Sequence, residues 1–181
     1  MTSYDDIRQK YKPTHIKFLL IAESPPPAAS VQSSRHFYRT DAIRHDDRLF
    51  TNTIHALYPQ AAALTEAQLQ TEKQKWLLTF KNDGFYMIEA LPDSQKHEVT
   101  KEQRQERIRT HLPELIKKVH NLVAPDTRIV LIKSNVFDVA TQSLRDAGFT
   151  VLNQELVDYP GRFNQRAYRE KLAALITDAN K

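Results

Sequence analysis

The sequence predicts an α/β protein, a three-layer α/β/α sandwich built on a four-stranded parallel sheet. Short apolar runs of strand length alternate with helical patterns along the chain, the arrangement that gives parallel crossovers. Those runs are nearly continuous in apolar residues, as in strands buried on both faces. Helix also outweighs strand, so both faces of the sheet can be covered. The 181 residues suit one domain, 1–181, with no repeats, low-complexity tracts or internal linker.

Residues 3–11 can form a short helix that Pro13 ends. The first strand is 15–22, closing on Lys17-Phe18-Leu19-Leu20-Ile21-Ala22. Residues 41–58 read as a helix, with Ile43, Leu49, Phe50, Ile54 and Leu57 mostly at three- and four-residue spacing, Asp41 as N-cap and Pro59 at the close. A second helix covers 65–80, opened by a Thr65/Gln68 capping box and striped by Leu69, Trp76, Leu77 and Phe80. Asn82-Asp83-Gly84 is a turn, and the second strand, 85–91, stops at Pro92. Residues 100–122 form a long polar helix that Pro113 is expected to kink or split. The third strand is 128–133. Ser134 caps the next helix, which runs to Ala147 and stops at Gly148. The fourth strand is 149–157, followed by the loop Asp158-Tyr159-Pro160-Gly161-Arg162. A final amphipathic helix, 163–178, carries Phe163, Ala167, Leu172, Leu175 and Ile176.

Composition narrows the chemistry. A net charge of +4 and a pI near 9.2 permit nucleic-acid binding without requiring it. The absence of cysteine excludes disulfides, thiolate metal sites and cysteine nucleophiles. Gly84, Gly148 and Gly161 are the only glycines, so no phosphate-cradling loop or dinucleotide fingerprint can be built. His36, His45 and His55 lack tight metal spacing, and neither H-E-x-x-H nor G-x-S-x-G occurs. No cofactor is called for. No apolar run reaches membrane length and the first residues lack signal-peptide form, so the expected location is the cytoplasm. Lys101, Arg104, Arg107 and Arg109 alternate with Glu102 and Glu106, which suits a solvated helix face better than a DNA groove.

In parallel sheets ligands bind just past the carboxyl ends of the strands. Glu23 is the first polar residue beyond the first strand, and Pro25-Pro26-Pro27 keep the chain extended there. Arg35-His36-Phe37-Tyr38-Arg39 follows, so an acid, a stiff loop and a basic-aromatic cluster form a candidate pocket wall. Pro92-Asp93-Ser94 and the 158–162 loop are expected on the same edge.

These residues carry a resemblance. Phe18-Leu19-Leu20-Ile21 running into Ala22-Glu23-Ser24-Pro25-Pro26 resembles the first motif of the uracil-DNA glycosylase superfamily, where an apolar strand ends in glycine, an acid or amide, a small residue and proline. Phe37 resembles the aromatic that stacks on the flipped base. Tyr159-Pro160-Gly161 falls where that superfamily carries His-Pro-Ser, and Glu89 lies near the region that supplies a base-reading residue. The resemblance spans residues 15–176 and implies the same four-stranded parallel fold. Three positions depart from the pattern: Ala22 replaces the opening glycine, Ser24 the water-activating aspartate or asparagine, and Tyr159 the histidine.

Cleaving an N-glycosidic bond needs a positioned water, negative charge near a cationic sugar, and a donor to the departing base. With the resemblance, these requirements make Glu23, Ser24, Asp158 and Tyr159 the catalytic candidates. The substrate-binding candidates are Phe37 and Glu89, which the resemblance supplies, with Tyr38 and Arg162. Each has a plainer alternative. Glu23 pairs with Arg35 or caps a helix, Phe37 is core, Glu89 is a satisfied strand-end carboxylate, and Tyr159 and Arg162 brace the last loop. Ser24 cannot hold charge at neutral pH, and a phenol ionising only near about pH 10 stands where imidazole would. Two functions are therefore expected to compete, with a small-molecule enzyme that uses the strand-end pocket differently as a third, plainer class. One is a base-excising glycosylase of weak or altered activity. The other is a non-catalytic module binding DNA or a nucleobase on the same fold.

Overall fold

The computed structural model describes residues 4–26, 36–40, 47–94 and 100–181. Its sheet contains β1 (Phe18–Ala22), β2 (Phe85–Glu89), β3 (Arg128–Leu131) and β4 (Thr150–Val151) in the order β2-β1-β3-β4, with every pairing parallel. β1 is thus central, and all five of its residues are buried. Phe18 pairs with Phe85 and Arg128 in register, and Ala22 with Glu89. Gly84, at φ +83, shapes the turn before β2, and its carbonyl accepts the N–H groups of Lys17 and Phe18. A side chain there would run into Lys17, so glycine is required at this position.

The helices are α1 (Tyr4–Gln9), α2 (Arg48–Leu57), α3 (Glu66–Thr71), α4 (Lys73–Asn82), α5 (Lys101–Leu122), α6 (Ser134–Asp146) and α7 (Gln165–Ala179). α5 packs on α6 over one face of the sheet, and α2 packs on α7 over the other, the three layers expected. Phe85 stacks on Phe80 of α4, and Phe18 stacks on Phe85. The capping boxes at Thr65 and Thr100 both form.

Several details differ from the sequence reading. α6 has Lys133 at its N-cap position and Ser134 as its first residue, with no side-chain cap bond, and the last helix begins at Gln165 and not at 163. The 65–80 helix is two helices broken at Glu72, where Lys73 turns inward to a buried position. α5 runs unbroken through Pro113, which is exposed. α2 begins at Arg48 with Asp47 as its N-cap, accepting from the Phe50 N–H. Asp41 and residues 42–46 lie outside the described residues, as do Pro27, Arg35 and 28–34.

The fourth strand is also interrupted. β4 pairs over Thr150–Val151, and the sheet resumes only at a bridge between Ile132 and Val157. Asn153, wholly buried, spans the gap. Its Oδ1 accepts the Leu131 N–H at 2.7 Å, and its Nδ2 donates to the Leu131 carbonyl at 2.9 Å. A side-chain amide thereby continues the ladder of β3 where backbone pairing lapses. Asn153→Ala is expected to cost about 2 kcal/mol, because it strips two buried backbone groups of their partners while leaving room for water. Urea denaturation checks this, and a loss below about 0.5 kcal/mol would show that the amide does not complete the sheet.

Candidate functional site

After β1 the chain goes to the α2 and α4 side of the sheet. After β3 it goes straight into α6, on the opposite side. Connections that part in this way leave a crevice beyond the carboxyl ends of the two strands. Glu23 and Lys133 stand on its two sides. Ile132 N–H still pairs with Ile21 O, and Lys133 N–H donates to Val157 O at 2.8 Å, so the edge is fixed on both flanks.

Glu23 is only 3% exposed. Its carboxylate contacts Lys133 Nζ, lies 3.6 Å from Arg104 of α5, and accepts from Asn135 Nδ2 of α6 at 3.5 Å. Two cations against one buried carboxylate leave the crevice locally positive. Arg107, one turn beyond Arg104, ties down the loop after β2 through Asp93 and the Ser94 carbonyl. The basic run on α5 is therefore only partly a solvated face. Arg104 and Arg107 brace the mouth, while Lys101 and Arg109 make peripheral pairs with Asp138 and Glu106.

Lys133 has φ 81 and ψ 141 and is the only non-glycine residue with positive φ among the described residues. An L side chain in that conformation costs on the order of 1–3 kcal/mol and persists only where its surroundings impose it. Here the Val157 bond, the start of α6 and the Glu23 contact impose it.

Glu89 closes β2 but serves a different cluster. It is 7% exposed, with Arg8 Nη2 of α1 at 2.6 Å and His36 Nε2 at 3.7 Å. Burial raises its pKa, which the Arg8 charge opposes. His36 is 1% exposed and stacks on Tyr4 at 4.5 Å, and neither ring nitrogen has a hydrogen-bond partner. Burial, aided by the charges of Arg8, Lys73 and Arg39, lowers its pKa to about 3. The imidazole is thus neutral, and its approach to Glu89 is not an ion pair at neutral pH. A groove of about 490 Å³ between α1 and α5, lined by Asp5, Arg8, Tyr86, Lys117 and Lys118 among others, borders this cluster and not the crevice.

The anticipated aromatic residues are core. Phe37 is 3% exposed, packed edge-on against Tyr38 and Phe50 and tilted against Phe80. Tyr38 is 1% exposed, stacks on Tyr11, and accepts the Met87 N–H through its hydroxyl at 2.6 Å, which covers the outer edge of β2. Neither ring offers a face to a ligand in this conformation, so a stacking role for Phe37 requires these contacts to open.

In the last loop, Asp158 accepts the Tyr159 N–H at 2.8 Å and Asn164 Nδ2 at 3.1 Å, bracing the approach to α7. Tyr159 is 37% exposed. The Arg162 guanidinium lies over the ring of Phe163, which is 89% exposed. Ser24 is half-buried beside Glu23. Glu23, Ser24 and the last loop thus share the carboxyl edge; Glu89 ends β2 at that same edge, but its carboxylate is held by Arg8 of α1, and Phe37 and Tyr38 are packed into the core.

Sequence reasoning missed Arg8, Lys133, Asn135 and Phe163. Lys133 and Asn135 flank the Ser134 start of α6, a strand-to-helix junction at the binding edge that singles them out. Phe163, which helical spacing places on the apolar stripe of the last helix, precedes α7 and faces solvent.

Among the described residues no cluster of three metal-binding side chains forms, and no helix is long and apolar enough to cross a membrane. No protein-family model matches the chain. No curated protein and no solved structure matches it either.

Proposed function

We propose that this chain is a uracil-DNA glycosylase-like protein that binds nucleic acid at the crevice between β1 and β3 and excises bases poorly or not at all. Glu23 carries the reading. Its carboxylate would have to position water or face the sugar cation, yet it is buried and neutralised by Lys133 and Arg104. Ser24 brings no charge to replace it. Binding draws support from the local excess of cations and from the last loop, where Arg162 and the exposed rings of Tyr159 and Phe163 sit together. Exposed aromatic rings stack on bases of any sequence, worth ~1–3 kcal/mol per base.

The test is a binding titration beside an excision assay on uracil-containing single- and double-stranded oligonucleotides. Affinity is expected to fall with salt, with a log–log slope of about −0.7 to −0.9 per phosphate contact. Excision is expected to lie ~10²–10³ below that of a site with its electrostatic group free, and Glu23→Gln should not lower it further. Robust turnover abolished by Glu23→Gln would restore the glycosylase reading. Absent or salt-independent binding would remove the nucleic-acid reading.

A further inference from the structure

We propose that Lys133 is a nucleophile toward aldehydic deoxyribose: the crevice accepts an abasic nucleotide, and Lys133 Nζ forms an imine with its C1′. The inference rests on the nucleic-acid reading above and goes beyond it in naming the substrate and the bond formed. Three observations carry it.

Lys133 is held in a backbone conformation that glycine would adopt without strain. Strain of this kind, imposed by neighbouring bonds, marks functional positions. What lysine adds over glycine is its amine, directed to the switch point of the sheet.

The Lys133 side chain is partly open, at 29% exposure, while its partner Glu23 is closed off at 2%. A ligand can therefore reach the Lys133 side chain without reaching the carboxylate. Lysine amines are established nucleophiles toward carbonyl carbon.

Phe37 and Tyr38 give no aromatic face to the crevice, being packed among Phe50, Phe80 and Tyr11. A nucleotide that has already lost its base asks for no such face.

The reaction balances with the groups present. The Nζ ammonium gives a proton to Glu23 Oε2, which it already contacts. The freed lone pair adds to the C1′ carbonyl carbon of the ring-opened sugar, and the carbonyl oxygen becomes a hydroxyl. The second ammonium proton passes to that oxygen as the hydroxyl forms, the hydroxyl leaves as water with the one proton held by Glu23, and the third proton stays on nitrogen. The product is a protonated imine, and the charge is unchanged from ammonium to iminium. Glu23, again ionised, faces the cation, and neither oxidant nor reductant is required. The class of reaction that supplies the substrate is base loss, by another enzyme or by spontaneous hydrolysis.

The experiment incubates the full chain with a labelled oligonucleotide carrying one abasic site, then adds sodium borohydride, which reduces an imine to a stable secondary amine. A covalent protein–DNA adduct is expected with the abasic strand and not with the same strand bearing a tetrahydrofuran analogue, which has no aldehyde. Lys133→Met is expected to lower the adduct at least tenfold. Peptide mapping of the wild-type adduct, which does not depend on the variant folding, should place the label on Lys133. A label on any other amine, or an undiminished adduct in Lys133→Met, overturns the proposal. Salt-dependent binding of the abasic strand without adduct overturns it while leaving the nucleic-acid reading intact. Neither binding nor adduct overturns both.

Discussion

Asp47→Asn is expected to destabilise the fold by about 3–5 kcal/mol, the cost of leaving a buried charge without its partner. Lys73 is 3% exposed and Asp47 2% exposed, and Nζ meets Oδ2 at 2.5 Å. The pair does three things at once. Asp47 caps α2, Lys73 Nζ donates to the His36 carbonyl at 3.2 Å, and the ammonium lies 4.7 Å from the centre of the Phe50 ring. It therefore ties the start of α4 to the start of α2 and to the segment carrying Phe37 and Tyr38. Asparagine keeps the shape and the cap acceptor but leaves the ammonium of Lys73 buried and uncompensated. Taking out both charges, as Asp47→Asn with Lys73→Met, should recover most of the loss, since well-packed apolar replacement of a buried pair is often near neutral. At ~2–4 °C per kcal/mol for a chain of this size, the single variant should melt about 10 °C lower. Urea and thermal unfolding of the two single variants and the double decide it. A single-variant loss below about 1 kcal/mol, or strictly additive losses in the double, would mean that the pair is not what holds these elements together.

How far the sequence could anticipate this architecture depends on the range of the interactions. The apolar run Phe18–Ala22 has the length and composition of a strand buried on both faces, and strand–helix alternation favours parallel crossovers, so the central β1 and the three layers follow from local pattern. The fourth strand misled because its two ends, 149–152 and 156–157, both read as strand, and nothing local in the polar residues 153–155 shows that the Asn153 amide stands in for backbone between two paired ends. At the site, Glu23 was recognisable as the polar residue past a buried strand. Its partners were not, because Asn135 is 112 residues away and nothing local connects them. Phe37 presents the reverse case. An aromatic in a short loop segment has no periodicity to report its burial, and only the ring contacts from α2 and α4 show it to be core.

Lowering the pH from 7 to 4 is expected to cost about 3 kcal/mol of stability through His36 alone. The histidine ring takes up a proton in the unfolded chain near its ordinary value of 6.5, but in the folded protein only near about 3. Between those values the unfolded state binds more protons, so stability is full above pH 6.5 and falls as the pH drops toward 3, at about 1.4 kcal/mol per pH unit. Burial sets this direction, and the groups facing the ring add to it: Arg8 from α1, Lys73 from α4 and Arg39 from its own segment all disfavour a charged imidazole. Glu89, the carboxylate beside it, works in the opposite sense. Its folded pKa is raised, so its contribution is present below 4.5 and is lost as the pH rises through the folded value. The observed profile is the sum of the two, and variants separate them. His36→Phe keeps an aromatic ring to stack on Tyr4, removes two buried nitrogens that lack partners, and leaves the backbone carbonyl that Lys73 uses. It should flatten the acid limb and be more stable than the wild type at pH 4, whereas Glu89→Gln in the wild-type background should steepen that limb. Denaturant unfolding at pH 7, 5.5 and 4 measures the difference. Parallel profiles for wild type and His36→Phe, or an NMR titration placing His36 near 6.5, would show that the imidazole is not held neutral by its burial.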